Sequence, residues 1–267
     1  MMPHRRHVLP VFAVLLAVTI VLPILAVIPV SFTPTSSFAI SSPESWSPRW
    51  YRELLTNPVW LDSLVSSLRI ALLAALVATV AGTMAALGLR RVRRTHRVVA
   101  RALVTLPLLI PLVVLAVGLY AMLIRTQLVG TTAGFVLAHA LLGLPLAFIT
   151  VSASLDALDD NLEQASRGLG AGPVTTMRLI VLPLVAPGVI AGALFAFVVS
   201  FNEVVIAGFL GSPYLRTLPI EMYSSMTRST DPTVAAAATF VAALTVITAA
   251  FALAAMSWRR RHLTRKD

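Results

Sequence analysis

From Ile70 to Leu89 the chain runs twenty residues without one charged side chain, and such runs recur along its length. An α-helix needs about 20 apolar residues to cross a hydrocarbon core of ~30 Å. Six stretches reach or approach that length: Leu9–Val30, Ile70–Leu89, Ala102–Ile124, a span within Thr126–Leu155, Leu179–Asn202 and Pro232–Trp258. Backbone amides cannot stay unpaired in lipid, so each stretch is expected to be a helix. The expected fold is therefore an all-α membrane protein, a single domain over residues 1–267. Its six transmembrane helices are expected near 9–30, 63–89, 100–124, 130–154, 184–210 and 233–258, with a polar loop at 156–183. Only 12% of the residues are charged, about half the share usual in a soluble domain.

The formal net charge is +10. In a polar protein this would suggest nucleic acid. Here the cations sit between apolar runs, so they read as membrane-flanking groups and no nucleic-acid partner is expected. The sole lysine, Lys266, stands at the C-terminal end, which leaves no GxxxxGK[ST] phosphate loop and no ATP hydrolysis by that route. The absence of cysteine excludes disulfides, thiolate chemistry and sulfur-ligated zinc. The five histidines are too scattered for an HExxH pair, so no metal or cofactor is expected. No GxSxG serine accompanies His139, and no catalytic residue is assigned. An ion-driven secondary transporter, the less favoured alternative, should show buried acids near mid-span and paired broken helices; neither is evident.

The first stretch follows His4-Arg5-Arg6-His7 and imitates a signal peptide. It runs 22 residues through Pro23 and Pro29 without a small-residue cleavage site, whereas a cleavable apolar region spans about 7–15. It is read as a retained helix. With the N-terminus inside, cytoplasmic segments hold 15 Arg and Lys and external ones hold 5. That bias places both termini in the cytoplasm. Trp46, Trp50, Tyr51 and Trp60 then fit an aromatic belt at the outer interface.

Lipid gives no hydrophobic reward for helix association, so small residues mark close approach. Two rows at i, i+4 spacing stand out: Ala74, Ala78, Gly82, Ala86, and Gly188, Gly192, Ala196, Ser200. They suit either tight packing within the subunit or packing along a path at a subunit interface. Pro107, Pro111, Pro145, Pro183, Pro187 and Pro219 fall within or at the ends of helices, where each removes a helical hydrogen bond. Ionisable residues inside a membrane are functional candidates. Glu203, with Ser200 and Asn202, forms a candidate substrate path that would attract a cationic amine; the competing reading is an interfacial polar contact. Arg69 and His139 read as structural, His139 packed or hydrogen-bonded rather than relaying protons.

Residues 156–187 read DALDDNLEQASRGLGAGPVTTMRLIVLPLVAP. Asp159 or Asp160 can cap a helix, and Glu163 and Arg167 stand in the favourable order for an i, i+4 ion pair. Gly170 supplies a left-handed C-terminal cap, and Pro173 restarts a helix at its first position. The product is a short rigid helix, a glycine turn and a second helix leading into the membrane at Leu182-Pro183. Such a projection suits a groove on another protein.

In register with Gly170, the residues Gln164, Ala165, Ser166, Leu169, Ala171, Pro173, Ile180, Leu182 and Pro183 closely resemble the EAA loop of permease subunits in binding-protein-dependent ATP-binding-cassette (ABC) importers. Gln164 stands where the family usually has Glu, with Glu163 one step earlier, and Ser166 replaces the second Ala. His139 with Pro145 resembles the His-x5-Pro pattern before that loop. Ser200-Phe201-Asn202-Glu203 with Arg216-Thr217-Leu218-Pro219 is similar to the pattern of the polyamine/opine branch. The resemblance implies a type I ABC importer permease fold in the bacterial inner membrane. It implies a second homologous permease, a cytoplasmic ABC ATPase dimer and an extracytoplasmic substrate-binding protein as partners. It implies ATPase coupling through Glu163, Gln164, Ala165, Ser166, Arg167, Leu169, Gly170, Ala171, Pro173, Leu182 and Pro183. A polyamine is the expected substrate, with opines, aminophosphonates and ferric ion as alternatives.

Overall fold

The computed structural model describes residues 25–228 and 231–263, together with isolated positions between Phe12 and Leu22. The described residues are helical or irregular, with one isolated bridge between Ser212 and Leu215 and no strand. The chain forms two compact units, residues 1–62 with 221–244, and residues 63–220 with 245–267.

In the first unit, residues 25–31 form a helical segment, α1, which is the end of the expected 9–30 span; most of that span lies outside the described residues. A 3-10 turn at Pro43–Ser45 leads to α2 (Arg49–Thr56). Trp50 and Leu54, one helical turn apart, are the buried face of α2. The Trp50 indole N–H donates to the Thr33 carbonyl (2.7 Å), and the Ser31 and Tyr51 hydroxyls pair at 2.7 Å. Phe32 stacks on Trp46 with centroids 5.4 Å apart. Trp50 and Trp60 are buried, and Trp46 is exposed.

α3 (Pro58–Arg90) begins in this unit and continues through the second. The second unit also holds α4 (Arg94–Thr105), α5 (Leu112–Arg125), α6 (Thr132–Asp156), α7 (Asp160–Gly168), α8 (Pro173–Thr176), α9 (Leu182–Phe201) and α10 (Val205–Leu210). α11 (Leu218–Arg228) and α12 (Thr233–Leu263) complete the chain. Helices α6 and α9 pack together along much of their length. Both small-residue rows meet α6. A Cβ built on Gly82 would stand 2.9 Å from the Ala147 Cβ, and one on Gly192 would stand 2.8 Å from the Ala147 Cα. Ala74, Ala78, Ala140 and Ala196 form one buried cluster. The rows therefore serve close packing within the chain, the first of the two readings.

Four helical runs among the described residues are long and apolar enough to cross a membrane: Pro58–Arg90, Thr132–Asp156, Pro173–Phe201 and Thr233–Ala255. Two expected spans need correction. The helix expected at 100–124 is broken: residues Thr95–Leu108 and Leu112–Arg125 meet at a bend of 93°. Pro111 has no N–H to donate, and its ring drives the preceding residue out of helical conformation. The helix expected at 184–210 ends at Phe201 and restarts at Val205. There the Asn202 amide donates back to the Val198 carbonyl (2.9 Å), and the Glu203 carboxylate takes the first free N–H groups of α10.

Candidate coupling segment and buried polar cluster

The segment at 156–183 is built from local signals. The Asp159 carboxylate accepts from the Asn161 N–H at 2.9 Å and opens α7. At the other end, Gly170 has φ +83°, a conformation that a Cβ disfavours. Its N–H donates to the Arg167 carbonyl (3.0 Å), and the Ala171 N–H donates to the Ser166 carbonyl (3.1 Å). These two bonds form a Schellman cap, which satisfies the last carbonyls of α7 and reverses the chain. Pro173 then starts α8. The turn is thus closed by backbone bonds and not by packing alone.

Ser166 and Thr176 make the tie between α7 and α8. Both are buried, and their hydroxyls are 2.7 Å apart. Thr176 Oγ1 donates to the Gly172 carbonyl at 3.1 Å, so its single proton is committed and Ser166 is the donor across the helix pair. This gives a physical reason for serine where the EAA pattern has alanine. Thr176 was absent from the sequence reading, because nothing local marks a threonine as the acceptor of a serine ten residues earlier.

Glu163 is half-buried and pairs with Arg90 at the C-terminal end of α3 as well as with Arg167 (3.8 Å). Arg90 lies 73 residues earlier in the chain, a separation no spacing rule bridges. Gln164, Ala165 and Arg167 are exposed, as are Gly170 and Pro173, and Ala171 is half-buried. Leu169, directly before the turn, is 89% exposed, and Val174 is 79% exposed. Downstream, residues Met177–Val181 widen into a π-helical turn before Leu182 and Pro183, where the missing proline N–H loosens the ladder.

The second group lies where α9 ends. Ser200 is buried and its hydroxyl is 2.9 Å from His139 Nδ1 on α6. His139 Nε2 stands 3.6 Å from a Glu203 carboxylate oxygen. Glu203 is 5% exposed. Its two oxygens accept from the Ile206 and Ala207 N–H groups, each at 2.8 Å. A carboxylate on the first N–H groups of a helix satisfies orphan donors and complements the helix dipole. Asn202 is exposed and also reaches Thr245 Oγ1 on α12 at 3.2 Å. Of the candidate path residues, only Asn202 therefore presents an open side chain in this state. No group of three His, Cys, Asp or Glu side chains suited to a metal ion occurs among the described residues.

Lipid-length helices packed on alanine and glycine, with a rigid polar helix–turn–helix between two of them, are the architecture of a membrane permease. The chain belongs to the family of binding-protein-dependent transport system inner membrane components, the permease subunits of ABC importers, whose model matches residues 78–262. It is 33% identical over 226 residues to the putrescine transport system permease protein PotI of Escherichia coli K12, covering 82% of this chain and 80% of that one. It is 31% identical over 205 residues to the spermidine/putrescine transport system permease protein PotC of Haemophilus influenzae, covering 76% and 78%. The fold matches a chain of the bacterial alginate ABC transporter in complex with an alginate pentasaccharide-bound periplasmic protein. That match has a TM-score of 0.69 at 16% identity over 96% of each chain. A chain of the MetNI methionine ABC transporter matches with a TM-score of 0.62 at 19% identity, over 77% of this chain and 98% of that one.

Proposed function

We propose that this chain is the permease of an ATP-driven importer for a polyamine such as putrescine or spermidine. It works with a second homologous permease, a cytoplasmic ABC ATPase dimer and an extracytoplasmic substrate-binding protein. In this reading six helices span the membrane, both termini are cytoplasmic, and residues 156–183 face the ATPase. The threefold excess of Arg and Lys in one set of connections supports that orientation.

The observation that carries the coupling role is the geometry around Gly170. Leu169 stands exposed on a helix fixed by a Schellman cap and by the Ser166–Thr176 bond. Closure of the ATPase dimer would move this corner as a rigid body, and α8 with the π turn would pass the displacement to α9. A conformational change of this kind requires that the contact differ in free energy between the two states, which a stiff corner allows and a loose loop does not. Ser200, Asn202 and Glu203 form the candidate substrate path. Asn202 is the open member of that path in this state, and the buried Glu203 carboxylate beside it would favour a cation once the path opens, in keeping with the polyamine permeases among the relatives.

The test uses the cysteine-free background. A single cysteine at Leu169 is expected to crosslink to the ATPase in the assembled transporter, and labelled putrescine uptake in vesicles is expected to need ATP and the receptor. Labelling of that cysteine from outside, or uptake driven by an ion gradient without the ATPase, overturns the reading.

A further inference from the structure

The corner between α3 and α4 carries charge that the rest of the fold does not balance. Six arginines stand between residues 90 and 101, whereas no Asp or Glu occurs from Ser63 to Leu155. The acids nearest in the fold are already engaged, Glu163 with Arg90 and Asp156 with Arg101 (2.9 Å). Arg97 turns inward and donates to the Arg90 carbonyl at 2.7 Å. Arg91 and Arg93 are exposed and have no ion-pair partner among the described residues.

The same stretch is too sharply bent for α4 and α5 to form one straight crossing. Residues Thr95–Leu108 are followed by the 14-residue α5 at an angle of 93°. The limb Thr95–Leu108 extends roughly 21 Å, short of the ~30 Å core. If α5 enters the hydrocarbon, α4 must run along the surface. Val99, Leu103 and Leu106, at i, i+4 and i+7, are all exposed. The small cleft among Arg90, Arg97, Arg101 and Asp156 has a volume of about 10 Å³, enough for a water and not for a phosphate. An anion must therefore be met on the outside of the corner.

We propose that α4 is an in-plane interfacial helix. Its apolar stripe at Val99, Leu103 and Leu106 lies among acyl chains, while Arg91 and Arg93 bind the phosphates of anionic phospholipids. Helices with a basic face and an apolar face take this position in bilayers, and juxtamembrane arginines are attracted to anionic headgroups. An acidic protein surface would neutralise the arginines but leave the apolar stripe in water; a lipid surface satisfies both. The proposal rests on the reading above for the leaflet alone.

The experiment uses the full-length chain without receptor, first alone and then with the ATPase added. A nitroxide on Val99→Cys is read for collision with oxygen and with a water-soluble nickel chelate. The vesicles are of phosphatidylcholine, with or without phosphatidylglycerol. Native mass spectrometry reads the ratio of phosphatidylglycerol to phosphatidylcholine retained by the protein. The label is expected to lie below the headgroups and deeper when phosphatidylglycerol is present. Arg91→Gln and Arg93→Gln are each expected to lower the retained ratio about fivefold, an effect that high salt removes. A water-exposed label overturns the proposal, as does a retained ratio indifferent to both substitutions. A label immobilised only when the ATPase is added also overturns it and points to a protein partner. Because no transport is measured, failure here leaves the importer reading standing, and failure of the Leu169 crosslink leaves this one standing.

Discussion

Replacing Glu203 by alanine removes the acceptor of two N–H groups at once. The carboxylate is 5% exposed and bonds Ile206 and Ala207 at 2.8 Å each. Both residues are fully buried in the core that also contains Phe135, Leu123 and Ile70. A buried N–H left without a partner costs about 1–3 kcal/mol, so the pair sets an expected loss of about 2–6 kcal/mol for Glu203→Ala. Glu203→Gln keeps one carbonyl oxygen and strands one N–H, which gives about half that loss. The assay is thermal inactivation of the purified protein in a fixed detergent, followed by tryptophan fluorescence and by loss of the monodisperse peak. Uptake of a labelled polyamine is measured on the same variants. The expected order of stability is wild type, then Gln, then Ala, with uptake of cations falling in Gln by more than assembly with the ATPase. If Glu203→Ala were as stable as wild type, the cap would not be holding α10. The carboxylate would then have to act elsewhere, and the reasoning from its two backbone bonds would be refuted.

Gly170→Pro removes the N–H given to Arg167 and cannot adopt φ +83°. It is expected to abolish ATP-driven uptake while leaving the amount of protein in the membrane fraction unchanged; normal uptake would count against the rigid-corner coupling. For the hydroxyl pair, Ser166→Ala leaves Thr176 with its carbonyl acceptor and should cost under about 1 kcal/mol. Thr176→Val strands the Ser166 proton in a buried position and should cost about 1–3 kcal/mol. Melting temperatures of the two variants check that asymmetry, and equal losses would reverse the donor assignment. Gly82→Val places a side chain where Ala147, Leu144 and Phe148 already stand at 2.9 Å from a Cβ. Overpacking of this kind costs about 1–3 kcal/mol, and an unchanged melting temperature would show that the α3–α6 contact is loose.

Much of the architecture was legible because the signals behind it are local. A helix in lipid is announced by its own uncharged length, as at Thr132–Asp156. The turn at Gly170 is announced by residues within one helical turn of it: a capping aspartate, a glycine and a proline. The two broken helices were not legible. Apolar character runs unchanged across Leu108–Leu112, so hydropathy cannot report the 93° bend there. The proline pair marks a weak point without saying how far the helix turns. The break after Phe201 depends on where a buried carboxylate finds its donors, which hydropathy does not encode.

The small-residue rows show the division most clearly. Their spacing fixed that some backbone would come close; only the packed structure decided that α6 supplies it. The polar partners follow the same rule. Arg90 meets Glu163 across 73 positions and His139 meets Ser200 across 61, pairings set by how helices stack and not by any residue's neighbours. The sequence alone determined the solvent, the approximate helix lengths and the stiff corner at Gly170, since each depends on side chains a turn or two apart. Tertiary packing decided which charges are tied, which stay open and where a helix breaks, since a buried polar group takes whichever partner the fold brings within 3 Å.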